Sequence, residues 1–291
     1  VLVLVDDDTP ESDLDDVIAE LMAPYSETLE VESRDDEAYD AERVIKVRQQ
    51  YIEYAEKNED VRETREQILE MDPSKLIESW TDQKFRIDEQ GVIHTQTTYN
   101  PRSKWDWYQT GGRFSSRAPL LFGGEQDCDG RLSDIDWDTI RERARLAAIE
   151  AFDTYEKATR HIEPIATWES VRGRHEADGT GIDGAREEYR THPWVVAIGE
   201  AFDHMYFFGT DLHDYFHVGQ ENAREEFIAN KVAEAGVYYS VVTPDGEWHS
   251  KGDMGWWGMD TVTDADWTTT FHKELQALPQ TTFFRLLDVH I

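Results

Sequence analysis

Between Tyr99 and Gly124 the chain carries Arg102, Lys104, Arg113 and Arg117 against one acid, Asp106. Trp105, Trp107, Tyr108, Phe114 and Phe122 are interleaved with them. Flat rings stack on bases, guanidinium forks grip phosphate or carboxylate, and a Gly111-Gly112 pair lets backbone N–H groups come close to an anion. This island predicts a site for an anionic, nucleotide-like ligand, with Arg102, Lys104 and Arg113 on the phosphate and Trp105 or Trp107 on the base. The competing reading places both tryptophans in the core and pairs the cations with nearby carboxylates.

Three further constellations have residue types that do chemistry. Gly246–Gly258 brackets the paired Trp256 and Trp257 with glycines and holds His249 and Lys251. It reads as a pocket wall with polar groups in His249 and Lys251, or as a structural plug. Asp134 and Asp136 alternate along the chain and would hold Mg²⁺ with a bound phosphate; alternatively one of them caps a helix beginning near Trp137. His213 and His217 stand four apart, the spacing that suits Zn²⁺ on one helix face, with Asp214 where a general base would sit. No third ligand has a recognised spacing, so the pair also reads as fortuitous. A Gly-rich phosphate loop, a dinucleotide fingerprint and a Gly-x-Ser-x-Gly elbow are all missing from the sequence.

The elements that must position these residues follow from periodicity. Val1–Val5 is a continuous β-branched and apolar run, a central strand. A helix follows, with Leu14, Val17, Ile18, Leu21 and Met22 on one face, and Leu29–Glu32 alternates like a second strand. Residues 37–70 read as a solvated amphipathic helix. Lys84–Ile87 and Val92–Thr98 flank a turn and predict a hairpin, and Trp105–Tyr108 adds an extended segment. Residues 138–236 read as a large helical insertion, interrupted by a loop at Gly173–Gly184. A hairpin over Val237–His249, a helix from Thr263 or Asp264 to Leu278, and a strand over Thr282–Ile291 close the chain. Two strand–helix–strand units sharing one sheet predict a single α+β domain over residues 1–291 with a ferredoxin-like antiparallel core.

Composition sets the environment. The 62 acidic residues outweigh 29 basic ones, for a net charge of −33. Ordinary domains stay within a net charge of roughly 2–8, so this one requires abundant counterions, with high K⁺ as its solvent. Arginine outnumbers lysine 20 to 9, favouring the weakly hydrated cation. The pattern predicts a halophile's protein. Aromatic residues at 12% separate it from disordered acidic chains. No apolar run approaches the roughly 20 residues of a membrane span. Val1–Val5, followed by three aspartates, is too short for a secretion signal, which predicts a soluble, cytoplasmic protein. The single Cys128 excludes an intramolecular disulfide and a Cys-based zinc finger.

Asn100-Pro101-Arg102-Ser103-Lys104-Trp105-Asp106-Trp107-Tyr108 with Gly111-Gly112-Arg113 resembles a family of uncharacterised proteins of tailed phages and bacterial genomes. So do Asp134-Ile135-Asp136-Trp137 and Gly252-Asp253-Met254-Gly255-Trp256-Trp257-Gly258. The opening, with Leu21-Met22-Ala23-Pro24-Tyr25, and the closing Asp288-Val289-His290-Ile291 are similar too, although Val289 stands where the family suggests Cys. Residues 140–230 have no counterpart. The resemblance implies a viral or proviral origin, here in a haloarchaeal setting, and supplies no catalytic residue. The combined expectation is a protein that binds or processes a nucleotide-like or nucleic-acid ligand in a halophilic host. Asp134 and Asp136, with Lys251 or His249 opposite, would act if there is turnover. The alternative is a non-enzymatic virion component or a binder of a host factor.

Overall fold

The computed structural model describes residues 1–58, 60–203, 211–254 and 260–290, apart from the side chains of 253, 254 and 260–263. In chain order the elements are β1 (Leu2–Val5), α1 (Leu14–Met22), β2 (Arg34–Tyr39), α2 (Ala41–Lys57), α3 (Arg65–Glu70), α4 (Pro73–Thr81), β3 (Phe85–Ile87) and β4 (Ile93–Thr97). Next come β5 (Trp107–Thr110), β6 (Asp129–Arg131), α5 (Trp137–Thr159), α6 (Trp168–Asp178), α7 (Gly181–Thr191), α8 (Pro193–Ala201), α9 (Leu212–Tyr215) and α10 (Ala223–Ala233). The last are β7 (Ser240–Val242), β8 (Trp248–Ser250), β9 (Gly252–Met254), β10 (Asp260–Thr263), α11 (Trp267–Ala277) and β11 (Phe283–His290). The protein is thus a mixed α and β chain. It divides into two compact units, Val1–Asp15 with Gln109–Asp288, and Asp16–Tyr108 with Val289–Ile291.

The first unit is organised around β1, whose four apolar residues are all buried. A strand covered on both faces has to be continuously apolar. The sheet runs β5-β11-β1-β7-β8, with β6 also pairing β11. Leu2 and Leu4 pack with Val241 and Phe284 against Trp267, Phe271 and Leu275 of α11. A second core belongs to α5–α10, where Phe152, Trp194, Phe216 and Phe227 are buried together. Tyr155 stacks on Phe216 there with ring centroids 4.1 Å apart. The second unit packs α2, α3 and α4 on a three-stranded sheet ordered β2-β4-β3.

Several expectations change. A ferredoxin-like core interleaves its two crossovers so that an antiparallel strand separates each parallel pair. Here β1 lies directly beside β7 and parallel to it, while the pairs β1–β11 and β7–β8 are antiparallel. A ferredoxin-like core is therefore not confirmed. Leu29–Glu32 forms no strand, and the acid-rich β2 that follows joins β4 in the separate sheet. The helix expected over residues 37–70 is shorter and broken, since β2 runs to Tyr39 and α2 ends at Lys57. Gly173–Gly184 is no loop, because α6 and α7 leave only residues 179 and 180 between them. The hairpin of β3 and β4, the helices between Trp137 and Ala233, and the closing strand all form as expected. Among the described residues no helix is long and apolar enough to cross a membrane.

Candidate functional site

The cationic–aromatic island is divided between the units. In the second unit its residues fasten one loop. Asn100 is buried and its Nδ2 donates to Pro24 O at 2.8 Å and Ser26 O at 2.9 Å. Arg102 Nη2 donates to Tyr25 Oη at 2.6 Å, and the guanidinium lies 4.6 Å from the centre of that ring. Lys104 donates its backbone N–H to Tyr25 O, and Trp105 Nε1 donates to Met22 O at 2.9 Å. Trp105 also packs edge-on against Tyr108. Arg102 and Trp105 are therefore engaged by Met22–Ser26. Trp107 stays at the surface, 44% exposed, stacked on His290 at 5.5 Å.

Arg113 belongs to the first unit, and the anion it grips is part of the chain. Asp288 is fully buried. Its Oδ2 accepts from Arg113 N at 2.9 Å and from Arg113 Nε at 2.9 Å, and its Oδ1 accepts from Arg113 Nη2 at 2.6 Å. These donors, the Arg113 side chain foremost, hold the Asp288 carboxyl at about 2, below its ordinary 3.8. Gly111 and Gly112 have φ of +66° and +50°, where a Cβ is strained. A Cβ on Gly112 would stand 2.5 Å from Asp288 Oδ2, and one on Gly111 would stand 2.6 Å from Cys128 Sγ. The Gly-Gly-Arg run does bring backbone and guanidinium to a carboxylate, as its chemistry predicts. The carboxylate is internal.

The predicted metal residues are likewise engaged. Asp134 Oδ2 accepts from Arg131 N at 3.0 Å. Asp136 caps α5, accepting from Thr139 N at 3.0 Å and Thr139 Oγ1 at 2.7 Å, and these bonds lower its pKa. The helix that would align His213 and His217 ends at Tyr215, and His217 has a left-handed φ of +51°. His213 Nε2 contacts Ile165 O, and His217 Nε2 lies 3.1 Å from Asn230 Nδ2. Among the described residues no group of three or more His, Cys, Asp or Glu is placed to hold a metal ion. His249 lies mid-strand in β8, opposite Val241. Trp256 and Trp257 fall outside the described residues.

Two clefts of the first unit have the size of ligand sites. The arginine cleft encloses about 470 Å³ and is lined by Phe114, Arg117, Leu120, Gln126, Ile140, Arg143, Gly236, Tyr238 and Tyr239 among others. None of its described lining residues is Asp or Glu. Arg117 lies over the Phe114 ring at 5.8 Å, while Arg143 projects from α5. Neither guanidinium has an ion pair or hydrogen bond to a described residue. Tyr238 Oη donates to Arg117 O at 2.8 Å, and burial pushes its phenol well above the ordinary range. Gly236 turns the chain into the cleft wall at φ +76°, where a Cβ would meet Trp137 at 2.7 Å.

The lysine cleft, about 700 Å³, is lined by Asp214, His217, Lys231, Glu234, Lys251 and Asp264 with Tyr215, Phe227 and Trp267. It brings together Lys251 and His217, which the sequence placed in separate constellations. Both clefts share Val237, Tyr238 and Tyr239 as wall. Sequence reasoning counted Arg117 only as one cation of the island and gave no role to Arg143 or Tyr238. No spacing links these three residues, because the fold alone assembles them. No protein-family model matches the chain, and searches of curated proteins and of solved structures also find no match.

Proposed function

We propose that this protein binds a small anion carrying a flat ring, of nucleotide-like chemistry, in the arginine cleft. One observation carries the reading. In a chain of 62 acidic residues, Arg117 and Arg143 form no ion pair with a described residue, and the described lining of their cleft has no Asp or Glu. A charge-assisted bond from guanidinium to phosphate contributes roughly 1.5–3 kcal/mol. Molar salt screens charges beyond about 3 Å, so only such direct contacts survive. Phe114, Tyr238 and Tyr239 are among the lining residues, and stacking of a base on such a ring contributes roughly 1–3 kcal/mol. A cavity of about 470 Å³ suits a mononucleotide better than a nucleic-acid strand.

The reading is of binding without turnover. The cleft's described lining has no histidine or carboxylate to serve as general base, and the Tyr238 phenol is held protonated. The proposed setting is a virus or provirus of a halophilic host. The net charge of −33 and the excess of arginine over lysine support the salt-rich environment, and the tryptophan-rich motifs support the viral origin.

The test is calorimetric titration in molar KCl with inorganic phosphate, nucleoside monophosphates and nucleoside triphosphates. We expect saturable binding that Arg143→Glu or Arg117→Glu weakens tenfold or more. If no compound binds the folded protein, or if both variants bind as the parent does, the proposal is wrong. The alternative of a virion or host-factor-binding protein then takes its place.

A further inference from the structure

The lysine cleft has a different charge pattern from the arginine cleft, and its polar groups can be accounted for one by one. Lys231 Nζ pairs with Glu234 at 3.1 Å and lies 4.7 Å from the centre of the Tyr215 ring. Asp264 accepts from Asp266 N at 2.9 Å and from Thr270 Oγ1, so its carboxylate is committed to the start of α11. His217 is engaged by Asn230. Two charged groups have no such partner among the described residues. The Lys251 ammonium and the Asp214 carboxylate have no hydrogen bond or ion pair with any described residue. They come from different elements, Asp214 from α9 and Lys251 from the link between β8 and β9. Half-buried Tyr215 lines the same cleft, with the buried Phe227 and Trp267 behind it.

A simple anion would meet Asp214 there, and a simple cation would meet Lys251. One group of each sign without a partner among the described residues, in a cleft that Tyr215 lines, matches a molecule that carries both charges and an apolar body. We infer that the lysine cleft binds a zwitterion of amino-acid chemistry, its ammonium on Asp214, its carboxylate on Lys251 and its side chain against Tyr215. A free amino acid and a short peptide share this chemistry, and a cavity of about 700 Å³ has room for either. The inference concerns a second site and does not depend on the arginine cleft.

The experiment is calorimetric titration of the full chain in molar KCl with phenylalanine and with phenylalanyl-phenylalanine, each beside its N-acetyl and its C-terminal amide form. The proposal expects the unmodified forms to bind. N-acetylation and Asp214→Asn should each weaken binding tenfold or more, as should amidation and Lys251→Met. The stronger of the two unmodified ligands identifies the free amino acid or the peptide as the source. Thermal melting of both variants, matched to the parent, establishes that they fold, and Arg143→Glu should leave this binding unchanged. Absence of binding by both unmodified ligands overturns the inference. So does equal binding of modified and unmodified forms, or binding insensitive to both substitutions in folded protein.

Discussion

Arg113 and Arg117 lie four residues apart within one 3-10 turn, Gly112–Arg117. Arg113 closes on the buried carboxylate of Asp288, with its backbone N–H and two side-chain nitrogens all engaged. Arg117 lies over a phenyl face, pairs with no described carboxylate and opens on a cleft whose described lining has no Asp or Glu. A cation in so acidic a chain is captured by the nearest carboxylate unless the fold keeps carboxylates away. The Gly-Gly-Arg anchor is thus a device of stability, and the neighbouring cleft is the place where positive charge is left available. Local charge density marks both arginines equally and cannot tell them apart.

The comparison breaks most visibly at Gly112. Gly112→Ala adds a Cβ beside Asp288 Oδ2 at a left-handed φ, and should cost on the order of 3 kcal/mol in chemical unfolding measured in molar KCl. A variant as stable as the parent would remove the anchor from the argument. Asp288→Asn keeps the shape and loses the charge, with an expected loss of about 2 kcal/mol. Its pH profile sharpens the point. The folded Asp288 carboxyl titrates at about 2, below its ordinary 3.8, so the stability it adds is complete above pH about 4 and disappears as the pH falls toward 2. The Asn variant should have a flatter acid limb over that window; an unchanged limb would assign acid unfolding to other carboxylates.

On the opposite side of the comparison, the Arg117→Glu and Arg143→Glu double variant should keep the parent's melting temperature within a few degrees and lose nucleotide binding. Unfolding of that variant would make the cleft arginines structural. The smallest effect concerns another carboxylate committed to its own chain. Asp136→Ala should destabilise by about 1 kcal/mol through loss of the α5 cap. The Asp136 carboxylate also acts electrostatically on Arg143, so anion affinity in the arginine cleft should rise slightly rather than fall.

Much of the architecture was legible because it is local. The turn at Asp88–Gly91 fixes the β3–β4 hairpin, with Gly91 at φ +80°, and the helical period from Trp137 onward needs no partner to be read. The failures come from longer range. Gly173 and Gly184 look like loop residues but lie inside α6 and α7, and a Cβ on Gly184 would meet His175 Nδ1 at 2.9 Å. That glycine permits close packing of two helices, which a single sequence does not distinguish from a loop. The strand β2, Arg-Asp-Asp-Glu-Ala-Tyr, has little intrinsic preference for extended structure. It is held by cross-strand partners, Arg86 and Gln96 on Asp35. In the same way, the Gly-Gly-Arg chemistry was readable and its partner was not, since Asp288 lies 175 residues from Arg113. Arg117, Arg143 and Tyr238 become neighbours only when α5 and the segment before β7 close around the turn.

The position of β1 has a consequence for how the chain acquires its shape. Leu2 is paired on one side with Val241 and on the other with Leu286. The middle strand of the sheet thus precedes both its neighbours along the chain, and neither exists until synthesis has reached β7. Until then four apolar residues with strong extended preference are an open edge, able to pair with another chain. Contacts of such high sequence separation form slowly. Synthesis of this protein thus includes a long interval in which β1 must be shielded, and the acidic helices made in the meantime, by keeping nascent chains apart, are suited to guard it.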